Sequence, residues 1–188
     1  MALKALTKAC GGTKIPGTKE VFYTIPITEL EANGLPATEA DGAGTDLGDK
    51  KKFAEAFDFT GANSGEGYFR KHTAVLVNTG QVTNTVEGQI GGQMFGQRYT
   101  FFADANDAAM MEWLDDLISQ SGCFLALVPK KDGDLMLLGD LESGCYVEAI
   151  EGGTGGDRVG YNVTLYASPG KTTFIYPGTL AINTTPAV

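Results

Sequence analysis

Residues 104–122, DANDAAMMEWLDDLISQSG, decide the fold, because they carry the one convincing helical pattern in a chain otherwise made of short alternating runs and turns. Met110, Trp113, Leu114, Leu117 and Ile118 share one apolar stripe, with Glu112, Asp115, Asp116 and Ser119 on the other side. Asn106 is placed to cap the first turn, Asp107 to sit at the positive end of the helix dipole, and Gly122 to stop the helix in a left-handed turn. The spacing predicts a helix over 106–121. A single apolar stripe needs a sheet to lie on, so this helix is expected as the lid on one face of a β-rich domain.

Downstream, Cys123 to Val128 is a continuous apolar run, Asp132-Gly133 centres a hairpin turn, and Leu135 to Leu138 runs back. Gly144 to Ile150 and Arg158 to Ala167 read as an antiparallel pair joined by a glycine turn over Glu151 to Asp157, and Thr172 to Tyr176 is one more apolar piece. Upstream, Gln97 to Ala103 sets Tyr99 and Phe101 on one face and Arg98, Thr100 and Phe102 on the other. Gln81 to Gln93 is too polar and glycine-rich for a central strand. Tyr68 to Asn78 reads as the longest strand, exposed in its first half and buried in its second. Phe53 to Phe59 reads as a short strand with Phe53, Glu55, Phe57 and Phe59 on one side. Glu20 to Thr28 is the first strand, where Pro26 marks an edge or a bend.

Three segments lack such patterning: an N-terminal arm over 1–19, a long loop over 29–52 and a C-terminal tail over 177–188. The expected organisation is one β-rich domain over 20–176 with these appendages. A loop of that length either orders against a neighbouring subunit or is simply solvated. The 26 glycines and 20% charged residues suit a folded chain with many tight turns. The net charge of −9, from 23 acids against 14 bases, argues against a protein that holds nucleic acid through its phosphates. No apolar run reaches the length of a secretion signal or a membrane span, so the product is expected to be made in the cytoplasm.

Candidate chemistry is sparse. His72, the single histidine, lies between Lys71 and Thr73 with no nucleophile motif near it, and reads as a surface residue. Gly152 to Gly160 matches the calcium nonapeptide GGxGxDxUx, but that motif builds sites only in stacked repeats, and a hairpin turn explains its glycines. Asp132, Asp134, Asp140 and Glu142 lack calcium-loop spacing and read as solvated turn carboxylates. Cys10, Cys123 and Cys145 form no zinc pattern and read as free thiols, Cys123 and Cys145 as buried ones in apolar strand-like settings, a bridge between these two being the alternative. No phosphate loop or dinucleotide fingerprint is present. Asn162-Val163-Thr164 and Asn183-Thr184-Thr185 match the glycosylation pattern by composition alone. No catalytic, cofactor-binding or metal residue is assigned, and an enzyme is not expected.

The order of arm, strands, long loop, lone helix 106–121, strand pairs and tail resembles the tail tube (major tail) proteins of tailed bacteriophages over Val21 to Tyr176. Cys10-Gly11-Gly12 and Ser168-Pro169-Gly170 after the strand Arg158 to Ala167 are similar to phage virion proteins. The resemblance implies an antiparallel β-sandwich or barrel of tail-tube type within a mainly β, α+β fold. It implies a homo-oligomer, hexameric rings stacked into a virion tail tube, with other tail or connector proteins as partners. DNA would pass without sticking, and neither cofactor nor membrane is involved. A head-tail connector or capsid decoration protein is the nearest alternative. A carbohydrate- or ligand-binding module with Tyr68, Phe69 and Tyr166 as an aromatic platform is the alternative of another class.

Overall fold

The computed structural model of this chain describes residues 17–30, 35–39, 51–57, 69–105, 107–155, 158–177 and 180. Most of the expected arm, loop and tail lie outside them, as do the turn 61–67 and residues Cys10, Phe59, Tyr68, Asn106 and Asn183. In chain order the elements are β1 (Phe22–Pro26), a 3-10 turn (Ile27–Glu29), β2 (Arg70–His72), β3 (Gln81–Glu87), β4 (Met94–Ala103) and α1 (Ala108–Ser119). They continue with β5 (Phe124–Pro129), β6 (Leu135–Leu138), β7 (Tyr146–Gly155), β8 (Arg158–Ala167) and β9 (Phe174–Tyr176). The fold is α+β: two antiparallel sheets, ordered β2-β1-β5-β6-β9 and β3-β4-β8-β7, and one helix.

The apolar run of β5 is the hub. All six of its residues, FLALVP, are buried, because its sheet is covered on both faces. Phe124, Ala126 and Val128 join a cluster with Tyr99, Phe101, Val163 and Leu165 of the other sheet and with the helix. Leu125 and Leu127 point the opposite way, into a second cluster with Ile25, Leu30, Phe53, Phe57, Phe69 and Tyr176. Burying one such leucine is worth about 1.5–3 kcal/mol. Strand β1 repeats the logic, with Phe22 in the first cluster and Ile25 in the second. It lies between β2 and β5, so the edge position suggested by Pro26 does not hold. Pro26 closes the strand opposite Phe124 and the chain bends into the 3-10 turn, where a missing N–H costs no ladder bond.

The helix is capped by Asp107, whose Oδ1 accepts from the Met110 N–H at 2.8 Å, one residue later than expected. Met110, Leu114 and Leu117 are buried and Trp113 packs against the same cluster, whereas Ile118 is 51% exposed, so the covered stripe is narrower than the sequence suggested. Gly122 does take a left-handed conformation (φ +83°), and its N–H donates to Cys145 O at 2.7 Å, hooking the helix end to the residue preceding β7. Gln97 is a buried polar bridge between the sheets. Its Oε1 accepts from the Gly139 N–H (2.8 Å) and its Nε2 donates to Lys171 O (2.9 Å).

Three strand readings change. Phe53 and Phe57 are both buried, but the chain bends at Ala54 and Glu55 and makes only isolated bridges to Thr38 and Ile175, so the described residues 53–57 form no strand. Over its described residues, the span expected as the longest strand yields β2 and bridges at Phe69 and Val75. A turn with Asn78 at φ +61° ends it; Lys71 and Thr73 are exposed and Val75 is buried as expected, whereas Phe69 is buried and Val77 is 51% exposed. Strand β7 continues through Gly152, Gly153 and Gly155, so these glycines belong to a long hairpin rather than to its turn. Gly160, opposite Gly153, has φ +146°, and a Cβ there would collide with Ala103 O.

The double burial of β5 predicts that Leu127→Ala costs about 2–5 kcal/mol. Urea unfolding should show this as a lowered midpoint with an unchanged slope.

Candidate functional site

The alternation that sends Tyr99, Phe101, Val163 and Leu165 inward leaves the other face of β3-β4-β8-β7 with Thr83, Thr85, Glu87, Arg98, Thr100, Asn162, Thr164 and Tyr146. Hydroxyls dominate this face; Thr100 and Thr164, paired across the ladder, hydrogen bond at 3.2 Å.

At its centre Arg98 is held from three strands. Glu148 receives Nε and Nη2, each at 2.8 Å, in a two-pronged pair, and Nη1 donates to Glu87 Oε1 at 2.6 Å and to Thr85 Oγ1 at 3.0 Å. A register shift between Val147 and Ala149 makes this possible, since Glu148 has no residue opposite it and its carboxylate is free to turn toward Arg98. The guanidinium lies 4.5 Å from the Tyr166 ring centre, and the Tyr166 hydroxyl donates to Glu87 Oε2. Gly96 makes room for the Glu87 carboxylate, which a Cβ there would strike. The hydrogen bond from Tyr166, then that from Arg98, hold the Glu87 carboxyl below its ordinary range; Glu148 and then Glu87 raise Arg98. With its donors committed, Arg98 organises the face and leaves little to offer a phosphate.

Beyond this face, the β3–β4 hairpin projects its apolar tip. Ile90 is 98% exposed, and Val86 and Met94 lie largely in solvent at the hairpin's end.

His72 is not the surface residue the sequence suggested. Its ring stacks on Phe22 at 4.6 Å, its Nδ1 accepts from the Trp113 indole N–H at 3.0 Å, and its Nε2 meets Thr24 Oγ1 at 2.8 Å. The indole can only donate, so Nδ1 is unprotonated and Nε2–H donates to Thr24. The neutral ring latches α1 to the β1–β2 pair. Burial, then the Arg70 charge, push its pKa down to about 4. Both ring nitrogens are engaged in these contacts, and the ring acts as a strut.

The remaining candidates separate. Phe69 is fully buried and Tyr166 is 6% exposed beneath Arg98, so they form no aromatic platform. Lys130 Nζ bridges Asp132 (2.7 Å) and Asp134 (2.9 Å), and Asp140 Oδ1 accepts from the N–H groups of Glu142 (3.1 Å) and Ser143 (2.6 Å). These turn carboxylates have partners within the turn, and no cluster suited to a metal occurs among the described residues. Cys123 and Cys145 are free; Cys123 is exposed rather than buried, while Cys145 donates to Leu138 O at 3.3 Å and burial pushes its thiol up to about 12. The Arg98 cluster escaped the sequence reading because its members come together only through strand register. A lone arginine opposite Tyr99 and Phe101 was its one visible sign. No protein-family model, curated protein or solved structure matches this chain.

The latch gives stability a defined pH dependence. The folded ring takes up its proton at a pKa of about 4 against an ordinary 6.5, so between these values the unfolded chain binds more protons. Stability present above pH 6.5 is therefore lost as pH falls toward 4, by about 2–3 kcal/mol after allowing for the ring's partial exposure. Denaturant unfolding followed by the fluorescence of Trp113, the single tryptophan, should show that loss. In His72→Gln the same window should be flatter.

Proposed function

We propose that this chain is a structural subunit that assembles into rings, and by stacking into a tube, as its likeness to phage tail tube proteins implies. One observation carries the reading: the strands of β3-β4-β8-β7 alternate in direction, so its outer strands β3 and β7 run opposite ways. Rotation about an axis along the strands would set β7 of one copy antiparallel to β3 of the next, each copy adding four strands to one continuous sheet. A closed ring removes both edges, which otherwise offer unpaired N–H and C=O groups to any passing strand.

In this arrangement each subunit is a sandwich of its two sheets, with the hydroxyl-rich face lining a channel. Among the described side chains, Glu87, Glu148 and Glu151 outnumber Arg98 there, and Arg98 is already bonded. DNA phosphates would find a surface of threonines and carboxylates that neutralises nothing and releases no counterions. Ring order is proposed as hexameric and the location as the virion, both on the resemblance, with neighbouring tail or connector proteins capping the stack.

Negative-stain electron microscopy over a concentration series, beside light scattering for mass, should show rings or tubes with a central channel. Val86, 57% exposed on the outer strand β3, provides the control. Val86→Lys should leave the fold intact and abolish the rings, because an edge lysine opposes strand addition. A monomer at every concentration overturns the reading.

A further inference from the structure

Two pairs of like charges on this molecule, one of lysines and one of carboxylates, have no ion-pair partner among the described residues. The first is a pair of lysines. Lys51 Nζ lies 4.6 Å and Lys171 Nζ 6.0 Å from the centre of the Phe174 ring, on which Phe53 stacks at 5.2 Å. Lys51 also donates to Thr172 O at 3.2 Å. Burial, then the Lys171 charge, push the Lys51 amine down, and neither lysine makes an ion pair among the described residues. Both line a groove of about 790 Å³ with an apolar floor that includes Leu35 and Pro36. Asp140 and Glu142 also line it, but they form no ion pair with either lysine, and Asp140 is engaged with the backbone of its own turn.

The second patch is the outer ridge of α1. Met111 and Ile118 are 47% and 51% exposed, and Glu112 and Asp115 stand beside them in solvent. Neither carboxylate has an ion-pair partner among the described residues, and the last turn of the helix holds no basic residue to balance its negative end. Arg70, beside the helix, donates to Gln120 instead (3.2 Å).

Resting on the self-assembly proposed above, we propose that the Glu112–Asp115 ridge of α1 in one copy docks in the Lys51–Lys171 groove of a second copy. Two ammonium groups above an apolar floor meet two carboxylates flanked by two apolar side chains, so charge and apolar surface are matched together. Pairing relieves the lysine repulsion and gives the two carboxylates the ion-pair partners they lack among the described residues. Groove and ridge are different patches, so the contact is head-to-tail, the kind that builds rings rather than closed pairs.

The test uses two charge-reversed full-length variants, Lys51→Glu with Lys171→Glu and Glu112→Lys with Asp115→Lys. Each alone sets like charges across the contact and should need at least about tenfold higher concentration than the natural chain to assemble by light scattering at low salt. Mixed in equal amounts they become complementary at every contact, and assembly should return. Circular dichroism and Trp113 fluorescence confirm that each variant is folded, as does the recovery on mixing. If the natural chain assembles and either folded variant alone does so equally well, or if mixing restores nothing, the docking proposal is overturned and the ring reading stands. If the natural chain never assembles, both are overturned.

Discussion

The structure depends on one demand, that the sheet carrying β5 be covered on both faces. A strand with six buried residues can sit only in the middle of three layers, and this chain supplies the two covers from different sources. One cover is built of regular elements, the second sheet and α1. The other is gathered from segments of little secondary structure, among them Leu30, Phe53, Phe57 and Phe69, together with Tyr176 near the end of the described chain. Residues far apart in sequence are thereby committed to one cluster. Phe57, for example, packs 4.4 Å from Tyr176, ring centre to ring centre.

This division explains what the sequence disclosed. Where a strand or helix has one wet face, periodicity reports it: β4, β8 and α1 were legible because Tyr99, Phe101, Val163, Leu165, Leu114 and Leu117 recur at the spacing of their element. The Asp132-Gly133 turn was equally legible, and Gly133 takes the positive φ, +107°, that its turn requires. The second cover was misread because Phe53 and Phe57 look like alternate residues of a strand, and only the chain bend between them shows otherwise. Pro26 left an edge and a bend open, and the bend is what forms, since a proline at the end of an interior strand and one on an edge strand look alike in sequence. His72 was read as exposed because its three partners, Phe22, Thr24 and Trp113, lie on other elements.

Polar groups in this fold follow burial. Inside, Gln97 and the neutral His72 are each satisfied by designated partners and tie separate layers together. On the open sheet face, Arg98 absorbs the charge of Glu87 and Glu148. Among the described residues, Lys51 and Lys171 beside Phe174 and Glu112 and Asp115 on the outer side of α1 have no ion-pair partner, while apolar side chains are exposed at the β3–β4 tip.

The Arg98 cluster has a mechanical consequence. Glu87, Arg98, Tyr166 and Glu148 belong to four different strands, β3, β4, β8 and β7; only Tyr166 stands directly opposite Arg98, Glu87 pairing with Met94 in the ladder, but their side chains join in one row of contacts across the sheet. Sliding any strand along its neighbour moves its member out of the row. Tension applied lengthwise to the sheet is therefore shared by the whole row and by the ladder bonds beside it, rather than opening them one after another as a zipper opens. The row acts as a cross-stitch that stiffens the sheet against shear in the direction its strands run.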